Sequence, residues 1–329
     1  MTRVAIDDML ILFYNSFFGS APPHVDCGRE CEFTTDRDRL TEADVVVFHL
    51  PDAQFIGDAQ KYPGQTWVAW TMESTINTPI LGQPKLMRHF DLRMTFSRGS
   101  DVWCGYMPGN SEWTEVISRP LQPRVRHSPM VMFQSATVDR SGRNAFCAEL
   151  MTHMPIDSYG KFLKNRELGI PDKGFETKLG VIGGYKFALG AENTIEADYV
   201  TEKFFQPLLA GTVPVYRGAP NVADYAPGDN CFVDASAFSS PAELAAYLRY
   251  LDSDDTAYAS YLSWRTRPLH ESFVQLLRET ETQVFCRLAE LVERRPRPRG
   301  KHALLPFGLR RYAGTKLARA KQTLRAALG

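Results

Sequence analysis

Apolar runs of five or six residues, each cut off by polar and turn-forming stretches, set the pattern of the first part of the chain. Met9 to Tyr14, Val45 to Leu50, Trp67 to Met72 and Leu92 to Phe96 are too short for stable helices and read as buried strands. Prolines at 120, 123 and 129, with little periodicity from Leu121 to Arg126, predict a linker. Beyond it come a strand at Met130 to Phe133 and a helix from Arg143 to about Met154, with Phe146, Leu150 and Met154 on one face. Lys186 to Gly190 is the next strand. A helix is predicted from near Tyr199, with Asp198 as N-cap, Gly211 as its end and Pro207 as a kink. Thr212 to Tyr216 and Cys231 to Val233 are further strands. Ser240-Pro-Ala-Glu243 is a capping box that starts a helix with Leu244, Leu248 and Leu251 as its buried stripe.

Strands alternating with helices at this spacing imply parallel sheets covered by helices, which bind ligands outside the carboxyl ends of their strands. A length of 329 residues suits two domains. The predicted division is 1–125, 126–290 and a C-terminal extension, 291–329.

Composition, with 44% hydrophobic and 23% charged residues, is that of a folded chain with a large core rather than a disordered one. A formal net charge of zero hides an asymmetry: from Leu291 onward there are 11 Lys or Arg against the single acid Glu293, leaving 27 basic and 37 acidic residues elsewhere. That is an anion-seeking tail on an acidic body, not a nucleic-acid-binding fold. Leu317, Ala320, Leu324 and Leu328 share a helical face flanked by Lys316, Lys321 and Arg325. The pattern fits a helix lying on an anionic membrane surface, and equally a basic helix docked on the acidic body.

The six cysteines, at 27, 31, 104, 147, 231 and 286, lack the paired spacing of a zinc site, so no metal centre is expected. Cys27 and Cys31 are expected as thiols, or as a bridged pair in an oxidising compartment. The apolar run near the N-terminus is too short to span a bilayer and no Asn-x-Ser/Thr acceptor occurs. The expected setting is the cytoplasm, with peripheral contact to the inner membrane face through the tail. Asp252-Ser-Asp-Asp255 mimics a metal-binding Asp-x-Asp but is read as a turn between helices. His49, at the end of a strand, is either a substrate contact or a structural histidine.

The informative chemistry lies in Tyr185-Lys-Phe-Ala-Leu-Gly-Ala-Glu-Asn193, then Asp198-Tyr-Val-Thr-Glu-Lys203, then Val213-Pro-Val-Tyr-Arg-Gly-Ala-Pro220. Glu192 and Asn193 follow an apolar strand, where an α/β sheet presents its ligand-binding edge. Glu202 and Lys203 fall in the first turn of the next helix, beside free N–H groups and the positive end of its dipole. Lys203 and the helix end can neutralise a diphosphate, while Glu202 can accept hydrogen bonds from sugar hydroxyls.

This whole stretch resembles the donor-binding signature of the α1,3-fucosyltransferases. Cys31 to Arg37, Ala43 to His49, Trp67 to Ser74 and Phe90 to Asp101 are similar to successive blocks of that family's acceptor-side domain. The resemblance runs from about Phe33 to Trp264. It departs from the family at Thr75, where a proline often follows the Glu-Ser pair, and at Pro207.

The resemblance implies a GT-B-like α/β fold, two Rossmann-like domains facing a central cleft, and GDP-fucose as donor. It implies that Arg143 and Lys203 contact the diphosphate, that Asn193, Tyr199 and Glu202 line the nucleotide and fucose pocket, and that Glu73 is the general base. The implied reaction is inverting transfer of fucose to the 3-hydroxyl of GlcNAc, in an N-acetyllactosamine-type glycan or lipopolysaccharide. It needs no catalytic metal, with stimulation by Mn2+ or Mg2+ left open. The rival readings are an inverting transferase of another nucleotide sugar and a noncatalytic, membrane-tethered nucleotide-sugar-binding protein.

Overall fold

The computed structural model describes residues 9–23, 25–28, 31–124, 128–295 and 307–328. In chain order the strands are β1 (Met9–Phe13), β2 (Cys31–Thr34), β3 (Val45–His49), β4 (Thr66–Thr71), β5 (Leu92–Thr95), β6 (Val102–Trp103), β7 (Met130–Met132), β8 (Ile156–Ser158), β9 (Phe187–Ala191), β10 (Val213–Arg217) and β11 (Val233–Asp234). The helices are α1 (Pro84–Met87), α2 (Asn110–Ser118), α3 (Arg143–His153), α4 (Phe175–Gly183), α5 (Glu202–Leu209), α6 (Pro241–Ser253), α7 (Asp255–Ser260), α8 (Glu271–Thr280), α9 (Val284–Glu293) and α10 (Leu309–Leu328). The strands form two parallel sheets, one ordered β2-β1-β3-β4-β5-β6 and the other β11-β10-β9-β7-β8. This is the expected Rossmann-like arrangement, once in each of two compact units.

In the first unit the sheet is buried on both faces, which is why its strands are continuous apolar runs rather than alternating ones. One face, with Phe13, Val45, Val68 and Trp70, packs on Phe285, Leu288 and Ala289 of α9. The other, with Leu12, Phe48 and Trp67, packs on Phe307. In the second unit Met130, Phe187 and Val213 pack on Leu150 of α3 and Leu244 and Leu248 of α6, while Val131 and Ala188 face Val181 and Ile182 of α4.

The units divide at Cys104/Gly105 and return at Thr282, not at 125 and 290. Residues 125 and 126, where the linker was expected, lie outside the described residues. The physical reason for the shift is α2: its Trp113 is fully buried among Phe205, Trp264 and Phe273 of the second unit. At the other end α9 carries its apolar face back onto the first sheet. Its Cys286 meets Cys27 in a disulfide, with Cα atoms 5.4 Å apart, so the partner of Cys27 is not Cys31. Cys31 is a half-buried thiol.

Of the predicted 291–329 extension, residues 307–328 carry α10, which docks on the first unit. The Thr315 hydroxyl donates to the Gln54 carbonyl at 2.8 Å and accepts the Gly57 N–H at 3.0 Å, and Arg319 bonds the Phe55 carbonyl. Docking uses that face of α10, so the predicted apolar stripe points outward: Leu317 is 58% and Leu324 65% exposed. The side chains of Arg325 and Leu328 lie outside the described residues. Among the described residues no helix is long and apolar enough to cross a membrane.

Candidate functional site

The carboxyl edge of the second sheet is organised around a buried carboxylate. β9 ends at Ala191, and Glu192, the next residue, is 0% exposed. Its carboxylate accepts the Thr201 N–H at 3.0 Å, the Thr201 hydroxyl at 2.7 Å and the Tyr216 hydroxyl at 3.3 Å. Lys203 Nζ completes the set at 3.2 Å and also lies 3.0 Å from Glu202 Oε1. Two glycines permit this crowding. A Cβ at Gly190 would stand 2.5 Å from the Lys203 carbonyl oxygen, and one at Gly218 would meet Tyr216 and the Glu192 side chain.

α5 begins at Glu202 rather than near Tyr199. Thr201 is the N-cap, its hydroxyl accepting the Lys203 N–H. Asp198 is not a cap: it has φ +67°, and its carboxylate accepts from Asn221 and the Tyr225 hydroxyl. Pro207 is accommodated within α5, where it denies the Lys203 carbonyl its helical donor. Gly211 follows the helix as expected, with φ +70°.

Electrostatics separate the four charges. Burial raises the Glu192 carboxyl pKa, only partly offset by Lys203. Burial opposes the Lys203 ammonium, but Glu192 and Glu202 outweigh it and hold the pKa up. Glu202 also pays a burial penalty, which Lys203 and then Lys178 overcome, so its pKa is lowered. Lys178, on α4, is lowered by burial against the pull of Glu202. These directions are compatible because desolvation falls hardest on the fully enclosed Glu192, while Lys203 keeps one side toward solvent.

The remaining donor-side candidates surround this cluster. Asn193 follows Glu192, and its carbonyl accepts the Arg140 N–H at 2.8 Å. Tyr199 is buried, its ring edge-on to Tyr106 at 6.2 Å and its carbonyl 3.3 Å from the Tyr216 hydroxyl. Arg143, the first residue of α3, is 1% exposed. Its guanidinium donates to the carbonyls of Ala136, Val138 and Ala191 at 2.9, 2.9 and 3.2 Å. In this structure it therefore clamps the loop beside the site rather than offering a charge. The N–H groups of Arg143 and Asn144, both at 3.0 Å, are taken by Asp139.

Glu73 belongs to the first unit, just beyond β4. Its N–H donates to the Thr71 hydroxyl at 3.0 Å, and the Asn77 amide donates to its Oε2 at 3.3 Å. Its charge acts on His49, whose Nδ1 lies 3.1 Å from Asp52 Oδ2. The imidazole is packed against Phe17, Phe18 and Trp70, with centroids 4.8, 4.6 and 5.1 Å away. Burial lowers the His49 pKa, with Asp52 opposing. Phe18 is 56% exposed beside it. At the other suspected motif, Asp254 caps α7 through the Ala257 N–H, so the Asp-rich stretch does helix-capping work.

Sequence reasoning named Glu192 without giving it a role, and passed over Thr201, Tyr216 and Lys178. The signal for Glu192 was its place directly after an apolar strand. Lys178 carried none, lying in a glycine-rich stretch with no recognisable motif.

Residues 124–304 match the family model described as "Glycosyltransferase family 10 (fucosyltransferase) C-term", and residues 7–107 match "Fucosyltransferase, N-terminal". The chain is 33% identical over 282 residues to GDP-fucose protein O-fucosyltransferase 3 of Homo sapiens, covering 78% of this chain and 57% of the relative. The Rattus norvegicus protein of that name is 31% identical over 295 residues, covering 83% and 60%. The chain thus spans less than two thirds of these relatives' length. A crystal structure of an α1,3-fucosyltransferase superposes with a TM-score of 0.60 at 18% identity, covering 90% of this chain and 93% of that one. The structure of α1,3-fucosyltransferase with GDP-fucose gives 0.55 at 17% identity, covering 90% and 94%. The superpositions establish the GT-B-type fold, and with both family models matched, the chain belongs to glycosyltransferase family 10, the fucosyltransferases.

Proposed function

We propose that the chain transfers L-fucose from GDP-β-L-fucose, with inversion, to a hydroxyl group. The observation that carries the donor half is Lys203, a cation in the first turn of α5 at the carboxyl edge of the sheet, with Glu202 beside it. In this reading Lys203 meets the diphosphate, Arg143 joins it only on release from the Ala136, Val138 and Ala191 carbonyls, Asn193 and Tyr199 line the nucleotide and fucose pocket, and Glu202 accepts from sugar hydroxyls. Glu73 takes the proton of the acceptor hydroxyl as its oxygen bonds to C1 of fucose. The C1–O bond to phosphate breaks and GDP leaves from the opposite face. The growing charge on GDP is met by the chain's own cations without a required metal, and turnover with and without a chelator tests for stimulation by Mn2+ or Mg2+.

For the acceptor, the relatives at 31–33% identity are named as protein O-fucosyltransferases, which favours a Ser or Thr hydroxyl. The second reading is the 3-hydroxyl of GlcNAc in an N-acetyllactosamine-type glycan or lipopolysaccharide, favoured by the likeness of the Tyr185 to Pro220 segment to the α1,3-fucosyltransferase signature. Protein and glycan acceptors incubated with GDP-fucose separate the two. Fucose released from product by β-elimination indicates a Ser or Thr linkage, and a product resistant to it, with an α1,3 bond by NMR, indicates GlcNAc.

The outward stripe of α10, with Leu317 and Leu324 between Lys316 and Lys321, fits an anionic membrane surface. A cytoplasmic membrane face is one such setting. The Cys27–Cys286 bridge weighs toward an oxidising one instead.

A further inference from the structure

A small void between β7, α4 and α5 is lined by Phe133, Lys178, Glu202, Lys203 and Gln206. Its free volume of about 20 Å³ is room for one water or one ligand oxygen, not for a purine or a sugar ring. Two polar groups on its wall make no hydrogen bond or ion pair. Gln206 Oε1 is buried without a hydrogen-bond donor. Among the described residues, Lys178 Nζ has neither an ion pair nor a hydrogen bond, and lies 5.6 Å from the centre of the Phe133 ring. Lys178 is half-buried, feels the charge of Glu202 without a direct ion pair, and keeps its ammonium open to an arriving anion.

The local charge balance points the same way. Lys203 is flanked by Glu192 and Glu202, at 3.2 and 3.0 Å. Those three groups alone carry a net negative charge, which would repel a nucleotide diphosphate from the cation expected to bind it. Lys178 brings the cluster to neutrality, and turning Glu202 toward a sugar hydroxyl would leave two ammonium groups facing one oxygen-sized space.

We propose that Lys178 is a second donor-binding cation, its ammonium taking one oxygen of the nucleotide diphosphate opposite Lys203. Gln206 Oε1 accepts an Nζ–H that the phosphate leaves over. The proposal rests on the donor-site reading above.

Calorimetric titration of the full chain with GDP and with guanosine tests it, using Lys178→Met and Lys178→Arg. Losing one charge-assisted contact weakens GDP binding about tenfold or more in Lys178→Met. Lys178→Arg keeps most of the affinity, and guanosine binding is unchanged in both. GDP bound as tightly by Lys178→Met as by the unaltered chain overturns the proposal while leaving the donor site standing. An unaltered chain that does not bind GDP at all overturns the donor-site reading itself. Should Lys178→Met fail to fold, acetylation footprinting of the unaltered chain decides: GDP, but not guanosine, protects Lys178, and equal labelling with and without GDP overturns the proposal.

Discussion

Lys203 Nζ lies 3.2 Å from the carboxylate of Glu192, a residue with no exposure to solvent. The pair joins the end of β9 to the start of α5, so one contact holds together the two elements that carry the donor signature. Replacing Lys203 by Met leaves a buried carboxyl whose pKa, already raised by burial, loses its compensating cation. A carboxyl raised in the folded state stabilises fully below its unfolded value, about 4.3, and loses that stability as pH rises through its folded value. Lys203→Met should therefore lose stability relative to the unaltered chain as pH is raised from the unfolded carboxyl range toward neutrality. Urea unfolding at several pH values measures this. Parallel curves for the two proteins would mean that the pair is not coupled.

Glu73 gives the second prediction. As the acceptor-side base, Glu73→Gln should lower kcat by about 10²- to 10⁴-fold. GDP affinity should stay within about twofold, well under one hydrogen bond's worth of binding energy. Loss of GDP binding in parallel with turnover would place Glu73 in a structural role.

The Cys27–Cys286 bridge closes a loop of 259 residues, large enough that its entropic effect on the unfolded chain is substantial. Reduction, or Cys286→Ser, should lower the unfolding free energy by about 2–5 kcal/mol. Alkylation of the nonreduced, unfolded protein followed by mass spectrometry should find Cys27 and Cys286 protected and Cys31, Cys104, Cys147 and Cys231 modified. Modification of all six would contradict the bridge.

The outward face of α10 predicts salt-sensitive membrane association. The protein should cosediment with vesicles containing phosphatidylserine, release at about 0.5 M salt, and ignore neutral phosphatidylcholine vesicles. Leu317→Ser with Leu324→Ser should abolish the binding while leaving turnover of soluble substrates unchanged. Equal binding to both vesicle types, or persistence in the double variant, would assign the stripe elsewhere.

What could be read in the sequence follows from what kind of signal each feature leaves. β3 was visible because a parallel strand buried on both faces is an unbroken apolar run, Val45 to Phe48. α4 was not, since Gly174, Gly180, Gly183 and Gly184 dilute the helical pattern around Leu179, Val181 and Ile182. The division between units escaped because it depends on tertiary contacts: Trp113 belongs with Phe205 and Phe273, and α9 with strands that lie far earlier in the chain. The disulfide escaped for the same reason, Cys286 being distant from Cys27 in sequence and near it only once α9 has docked. Glu202 and Lys203 were legible because a compact motif carries them at a helix start. Lys178 and Gln206 became visible only when two helices placed them on one wall.

Turnover by the purified chain with a panel of nucleotide sugars, scoring acceptor-dependent release of the nucleotide, with Lys203→Ala in parallel, decides the donor assignment. GDP should be released from GDP-fucose alone, and kcat/KM should fall by about a hundredfold or more in Lys203→Ala. Turnover of a different donor, or full activity in Lys203→Ala, would overturn the GDP-fucose assignment.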